Sequence, residues 1–208
     1  MHSLRALCSL FLIAIAGVAQ AADVDIVVTD AAGKPLAGAV VTLESTGAAL
    51  PAKPLAQVEV GQAKRQFTPQ VTVVTVGTPV VFPNFDTVRH HVYSFSSAKT
   101  FELKLYAGVP NAPVVFDKPG IVTMGCNIHD RMAGWIVVVD TPLNGISAEA
   151  TGRAHLAGVA AGSYRVRVWH PGLAATAAAV LLPVQVGAVN IEQAVQLDVA
   201  VNPLGRQS

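Results

Sequence analysis

The feature that most constrains the fold is a series of short stretches in which apolar and polar residues alternate, with Gly and Pro between them. Such alternation indicates half-buried strands, and many short strands divided by turns are typical of sandwiches and barrels. We predict strands at residues 24–29, 40–44, 71–76, 91–95, 136–139, 164–169 and 195–201. Only residues 174–182 have a pattern that a helix could adopt. The sequence therefore predicts an all-β protein.

The first 22 residues have the pattern of a secretory signal peptide. His2 and Arg5 precede an apolar run at 7–18, and Ala19-Gln-Ala21 supplies the small residues of a cleavage site. The apolar run is shorter than the roughly 20 residues of a transmembrane helix. We therefore expect residues 1–22 to be removed and the mature protein to be periplasmic, with no membrane contact after cleavage.

The charge of the chain argues against nucleic acid as a partner. Lys and Arg number 14 and Asp and Glu number 13, which gives a formal net charge of +1. A protein that binds nucleic acid needs a basic surface that neutralises phosphates. We expect no nucleic-acid partner.

Three residues that favour soft or borderline metal ions lie in one short loop, at Cys126, His129 and Met132. Thiolate, imidazole and thioether together suit copper. A hard cation prefers carboxylates, and structural zinc sites usually contain two or more cysteines, whereas Cys126 is the one cysteine left after residues 1–22 are removed. The loop therefore predicts a copper site.

A second imidazole is needed to complete a set of two histidines and one cysteine with a weak axial methionine. His90 and His91 both stand at the start of a predicted strand. Successive strand residues face opposite ways, so only one of the two should reach the metal. Alternation alone favours His91, because it shares the more apolar strand face with Tyr93 and Phe95. Both histidines are candidates on this evidence.

Further sequence elements occur in a fixed order around these residues. They are Phe67-Thr-Pro69 before a Val-rich strand, Gly77-Thr-x-Val-x-Phe-x-Asn84-x-Asp86, His90-x-Val, and Gly120 six residues before Cys126. With these elements, residues 57–139 resemble the cupredoxins, the small blue-copper proteins that include amicyanin and plastocyanin. The loop from Cys126 to Met132 has the length found in amicyanin.

This resemblance implies a Greek-key β-sandwich with one type 1 copper ion as its cofactor. The implied metal ligands are His90, Cys126, His129 and Met132, with His91 in the place where the family usually has Asn. The implied function is the transport of single electrons between redox partners, for example a periplasmic dehydrogenase or a cytochrome c. Four protein ligands leave no open position for a substrate, so we predict that the protein is not an enzyme.

The surroundings of the predicted site yield two weaker expectations. Ile128, Met124 and Phe85 should form an apolar patch around His129, which would suit brief docking with a redox partner. Three carboxylates near the site in sequence are expected to be solvated or to form hydrogen bonds to the ligands, namely Asp86, Glu102 and Asp130.

Two segments outside this region complement each other. Residues 30–41 have the pattern Asp-x-x-Gly-Lys-Pro-Leu-Ala-Gly-Ala-Val-Val, and residues 152–164 have Gly-x-x-x-Leu-x-Gly-Val-x-x-Gly-x-Tyr. Together they resemble the halves of a carboxypeptidase regulatory-like, transthyretin-like module. We therefore predict a discontinuous β-sandwich from residues 23–54 and 142–204, with a cupredoxin domain at 55–141 inserted in it or packed beside it. A single unfamiliar sandwich is the alternative.

The aromatic and histidine residues of the flanking segments point to no second site. We expect His155 and His170 to lie at the surface or at strand ends, and Trp135 and Trp169 to be core or interface aromatics.

The wider sequence leaves three functions open. The run from His90 to Ser96 and the segment from Cys126 to Asp130 are similar to exported proteins labelled methylamine utilisation proteins. Electron transport by copper is the favoured function. Copper delivery or storage by the same ligands, and a non-redox structural or binding role, are the alternatives.

Overall fold

The computed structural model describes residues 20–174 and 179–199, in which the ordered elements are strands. The all-β prediction is therefore confirmed. The strands are β1 (Ala21–Thr29), β2 (Val40–Ser45), β3 (Val58–Glu59), β4 (Gly61–Ala63), β5 (Gln66–Thr68), β6 (Val71–Thr75), β7 (Thr78–Val81), β8 (His90–Ser96), β9 (Lys99–Tyr106), β10 (Val114–Phe116), β11 (Gly120–Cys126), β12 (Ala133–Val139), β13 (Asn144–Ile146), β14 (Arg153–Ala160), β15 (Gly162–Trp169), β16 (Val180–Val186) and β17 (Ile191–Gln196).

The strands form four sheets and a hairpin. Sheet 1 has the strand order β14-β1-β17, sheet 2 β13-β2-β15-β16, sheet 3 β6-β12-β11-β8-β9 and sheet 4 β10-β7-β3, while β4 pairs with β5. Most neighbours are antiparallel, but β1 with β17, β6 with β12 and β3 with β7 run parallel. Strands that are distant in sequence therefore lie side by side.

Alternating side chains explain why each sheet has one buried face. In β1, Val24, Ile26 and Val28 are fully buried, whereas the residues between them are partly exposed. Strand residues two apart share a face, so these three side chains point into the space between sheets 1 and 2. The same alternation in the other strands builds one apolar core between each pair of facing sheets.

The sheets stack in four layers with three apolar clusters between them. The first cluster joins sheets 1 and 2, and the second joins sheets 3 and 4 and includes Cys126 and Met132. A smaller cluster between sheets 2 and 3 contains Val40, Val137 and Val139, with Trp169 packed against it. The outer face of sheet 2 therefore contacts the outer face of sheet 3.

The strand pairing divides the chain in a simple way. Within the described ranges, strands at 21–45 and 144–196 pair with one another in sheets 1 and 2, and strands at 58–139 pair with one another in sheets 3 and 4 and the β4–β5 hairpin. The middle of the chain thus builds sheets of its own, between two segments that share a sandwich.

The structure can be compared with the predicted signal segment, the predicted helical segment and the last predicted strand. Residues 1–19 of the predicted signal segment lie outside the described residues, and Ala21 and Ala22 already belong to β1, where they pair with β14. The helical pattern at 174–182 is wrong for residues 180–182, because β16 pairs with β15 there, while 175–178 are not described. Residues 195–201 were expected to form a strand, but β17 ends at Gln196, and 200–201 are not described.

The described residues, 20–174 and 179–199, contain no helix with the length and apolar character that crossing a bilayer requires.

Candidate metal centre

Two adjacent strands of sheet 3 bring the candidate ligands together. His90 is the first residue of β8 and Cys126 is the last residue of β11. The strands are antiparallel and place Cys126 opposite Val92, so the start of one strand meets the end of the other. His129 follows in the loop between β11 and β12. A local pairing of two strands thus assembles residues that are 36 positions apart.

Both imidazoles face the cysteine sulfur with the same ring nitrogen. Cys126 Sγ lies 3.6 Å from His90 Nδ1 and 3.8 Å from His129 Nδ1. One ligand atom from each of the three residues lies within 4.8 Å of the other two. The two ring centroids are 5.0 Å apart. The three atoms therefore surround one point.

These distances fit a shared metal ion. For a first-row transition metal, bonds of roughly 2.0 Å to nitrogen and 2.3 Å to sulfur, at a tetrahedral or trigonal angle, put the two outer atoms roughly 3.5 to 3.8 Å apart. A thiolate with two imidazoles is a donor set that suits copper.

The structure distinguishes the two neighbouring histidines. His90 is fully buried, on the same face of β8 as the buried Val92 and Ser94. His91 faces outward and its Nε2 lies 2.8 Å from Glu102 Oε1. The more apolar face of β8 is the outward one, and Phe95 on it is 81% exposed. The alternation argument for His91 is therefore wrong, because apolar content did not identify the buried face.

An aspartate holds the His90 ring in place. Asp86 Oδ2 lies 2.9 Å from His90 Nε2, and an ionised carboxylate can only accept, so Nε2 carries a proton and Nδ1 is the nitrogen that a neutral ring offers to a metal. A carboxylate on the far nitrogen is the usual way in which proteins orient a metal-binding histidine. Of the two roles considered for Asp86, the structure displays a hydrogen bond, to the candidate ligand His90.

Asp86 also anchors the turn of the β4–β5 hairpin. Lys64 N donates to Asp86 Oδ1 at 2.7 Å and Arg65 N donates to Oδ2 at 2.9 Å. Burial by itself raises the pKa of Asp86, but the hydrogen bonds from Arg65, His90 and Lys64 outweigh it and hold that pKa below its ordinary value. The carboxylate is thus ionised where it meets the His90 ring.

Sequence reasoning did not identify this turn. Lys64 and Arg65 have φ angles of 54° and 57°, a region in which residues other than glycine are uncommon. A turn of this kind is normally signalled by Asn-Gly or Asp-Gly, and neither is present. The structural signal is the pair of backbone N–H groups that face one carboxylate.

The loop after Cys126 is closed by its own backbone. Cys126 N donates to Met132 O at 3.2 Å, and Met132 N donates to His129 O at 3.0 Å. Asn127 N donates to His91 O at 3.0 Å, which ties the loop to β8. Met132 is buried in the same apolar cluster as Cys126. The loop thus holds its three candidate ligands on one short, hydrogen-bonded frame.

His129 lies at the boundary with solvent. Its burial lowers its pKa, and the nearby charges of His90 and Arg65 lower that pKa further. The neutral ring, which is the form that binds a metal, is therefore favoured. His129 is partly exposed, unlike His90.

The apolar surface near the loop differs from the expected patch. Ile128 is 50% exposed and Phe85 is 66% exposed, as a surface patch requires, but Met124 is buried in the core between sheets 3 and 4. Met124 alternates with outward residues on β11 and points inward. Including Met124 in the patch was therefore wrong. Two other apolar residues, Val88 and Val109, are exposed in neighbouring loops. Asn84 connects these loops, because its side-chain amide donates to Val88 O and its backbone N–H donates to Gly108 O.

The remaining singled-out residues lie elsewhere. Glu102 bonds to His91, and Asp130 is exposed. His155 is exposed beside Asp25, whereas His170 is fully buried directly after β15. The expectation of a strand end holds for His170, but a surface position does not.

Of the comparisons with known proteins, only the one with solved structures finds proteins that are similar to this chain. No protein-family model matches the chain, and no curated protein matches it. A purple cupredoxin from Nitrosopumilus maritimus is 22% identical over 41% of this chain and 100% of that chain, with a TM-score of 0.35. An amicyanin variant in the reduced state is 20% identical over 47% of this chain and 99% of that chain, with a TM-score of 0.35. A Cu-containing nitrite reductase from Thermus scotoductus is 26% identical over 55% of this chain, with a TM-score of 0.38, and the match spans 28% of that chain.

Proposed function

We propose that this chain is an exported, periplasmic type 1 copper protein that carries single electrons between redox partners and catalyses no reaction of its own. The observation that carries the proposal is the approach of His90 Nδ1 and His129 Nδ1 to Cys126 Sγ at 3.6 and 3.8 Å. His90, Cys126 and His129 would be the strong ligands and Met132 a weaker fourth one. When bound, one copper ion would accept and release a single electron at this centre.

The surrounding residues favour electron transfer because they resist rearrangement. A carrier works fastest when its ligands move little between the two oxidation states, since every bond that must change length adds to the barrier. Asp86 holds the His90 ring through Nε2, and Cys126 ends a strand that is paired on both sides. These contacts would keep two of the ligands in place whichever oxidation state is present.

The exposed apolar residues support transient docking with a redox protein. His129 is partly exposed, and Ile128 next to it is half exposed. Small interfaces with apolar centres suit encounters that must form and separate quickly. A periplasmic dehydrogenase or a cytochrome c would be a partner of this kind.

The same proposal includes the organisation of the chain. Residues 1–22 would be removed on export, residues 55–141 would form the copper domain, and residues 23–54 and 142–204 would form the flanking transthyretin-like sandwich. This division is supported by the separate strand pairing of sheets 1 and 2 and of sheets 3 and 4. The close approach of β2 and β13, which pair in sheet 2, also allows an insertion between them.

The experiment that tests the proposal is voltammetry of the copper-loaded protein, together with a transfer assay to a copper chelator. A carrier should give a reversible one-electron wave and release copper slowly. Rapid loss of copper to the chelator without a reversible wave would contradict electron transport and favour copper delivery. If the protein does not bind copper, both copper functions are contradicted and a structural or binding role is favoured.

A further inference from the structure

The contact between sheets 2 and 3 contains a cavity that the copper site does not use. It has a volume of about 340 Å³ and is partly open. Its walls come from β2 and β15 of sheet 2 and from β11 and β12 of sheet 3, with Val40, Val137, Val139, Ile121 and Trp169 among the apolar residues that line it. A volume of this size falls within the range of small-molecule sites.

One polar group in this cavity is buried without a partner. Thr42 lines the cavity and is 5% exposed, and its Oγ1 has no hydrogen-bond partner among the residues that the structure describes. Its strand neighbours Val41 and Leu43 point into the core between sheets 1 and 2, so the Thr42 side chain faces sheet 3. A buried hydroxyl without a partner costs free energy, and a ligand with one hydroxyl or carbonyl group would remove that cost.

The charged residues of the cavity are already engaged or exposed. Arg167 Nε donates to Glu44 Oε1 at 2.6 Å and Arg167 Nη2 donates to Oε2 at 3.3 Å, so the two charges compensate each other. Asp140 also lines the cavity but is exposed. An anion would be repelled by Asp140 and would meet no unpaired cation among the described residues that line the cavity. A cation would find Glu44 already paired and Asp140 exposed, where solvent and salt screen its charge. The charge arrangement therefore favours a neutral ligand.

We propose that this cavity binds a small neutral alcohol with an apolar body, for which phenol is the probe. The apolar body lies against the valines of the two sheets and the indole of Trp169. The hydroxyl of the ligand exchanges a hydrogen bond with Thr42 Oγ1. Because the walls belong to both sheets, a bound ligand also joins the flanking sandwich to the sheets that contain Cys126.

The test measures binding of phenol to the full chain by titration calorimetry and by amide chemical shifts, without added metal. Toluene, benzoate and benzylamine are the comparison ligands, and T42V is the test variant, since valine keeps the shape of threonine but lacks its hydroxyl. T42S restores the hydroxyl. T72V is the matched control, because Thr72 is also buried with an unpartnered hydroxyl but does not line the cavity.

We expect phenol to shift amides on both walls, in β2 and in β12, and to raise the melting temperature. The T42V change should weaken phenol binding about fivefold to tenfold, the effect of one hydrogen bond. Toluene binding should not change, and T42S and T72V should bind phenol as the wild type does. The proposal is overturned if phenol shifts no amides up to its solubility limit, if T42V binds it unchanged, or if benzoate or benzylamine binds as tightly.

Discussion

Asp86 Oδ2 lies 2.9 Å from His90 Nε2, and the Asp86 carboxylate also accepts the backbone N–H groups of Lys64 and Arg65. One side chain thus connects a buried histidine to a hairpin turn that is distant from it in sequence. The carboxylate contacts the side of the ring opposite to Nδ1, which lies 3.6 Å from Cys126 Sγ.

The first prediction concerns the anchor itself. D86A should lower copper affinity about tenfold to a hundredfold, which is the usual effect of removing such a partner of a metal-binding histidine. Competition with a chelator of known affinity measures it. D130A is the control, because Asp130 is exposed and near His129 in sequence but is not bonded to either histidine. Equal copper affinity of D86A and D130A would show that the hydrogen bond between Asp86 and His90 does not contribute to copper binding.

The second prediction compares two glycines at which an added Cβ would have different effects: backbone strain alone at Gly158, and strain together with a steric clash at Gly152. Gly152 and Gly158 have nearly the same φ, 64° and 65°, but a Cβ on Gly152 would lie 2.2 Å from Val28 O while a Cβ on Gly158 meets nothing within 4 Å. G158A should therefore cost about 1 kcal/mol of unfolding free energy from strain alone. G152A should cost about 2 kcal/mol more, because the backbone of β1 must move. Chemical denaturation measures both, and equal losses would contradict the geometry.

The third prediction concerns pH and the buried His170. Its Nε2 donates to Ala37 O at 3.1 Å and its Nδ1 accepts from Gly172 N at 2.9 Å, so the neutral ring is fully bonded. Burial lowers its pKa, with the hydrogen bond to Ala37 acting in the opposite direction. In the unfolded chain the pKa returns to about 6.5, so below that pH the unfolded state gains a proton first.

The unfolding free energy of the metal-free protein should therefore fall as the pH drops from about 7 to about 5. H170Q should show a smaller fall, because it removes the titrating group. Denaturation curves at the two pH values decide this, and an unchanged slope in H170Q would count against the burial argument.

The fourth prediction concerns the apolar surface beside His129. I128K should slow electron self-exchange between the oxidised and reduced copper forms about tenfold, because two like charges would meet when the copies approach through this surface. Line broadening in mixtures of the two forms measures the rate. F95K places the same charge on the outward face of β8, where Phe95 is exposed, and should have a much smaller effect. A similar rate in I128K and the wild type would exclude this surface as the docking site.

Much of the fold could be predicted from residue alternation, because Val24, Ile26 and Val28 show the period of a half-buried strand. Alternation was less informative where both faces of a strand meet protein, as in β12, or where an outward face carries aromatic residues. Phe95 is the clearest case, since its aromatic ring suggested the wrong buried face for β8.

The candidate site was predictable where its residues are close in sequence. Cys126, His129 and Met132 share a loop, and their donor chemistry is apparent from the sequence alone. The choice between His90 and His91 needed the strand pairing, and the support of the Lys64–Arg65 turn needed the position of Asp86. Such contacts join residues that are 21 to 36 positions apart and leave no mark in local composition.

The central claim is that Cys126 binds copper as a thiolate together with His90 and His129. The most direct measurement is the visible and electron paramagnetic resonance spectrum of the copper(II)-loaded full chain, compared with that of C126A. We expect an intense visible band from sulfur-to-copper charge transfer and the narrow copper hyperfine splitting of a thiolate site, both absent in C126A. A copper(II) spectrum without the band, or the same spectrum in C126A, would contradict it.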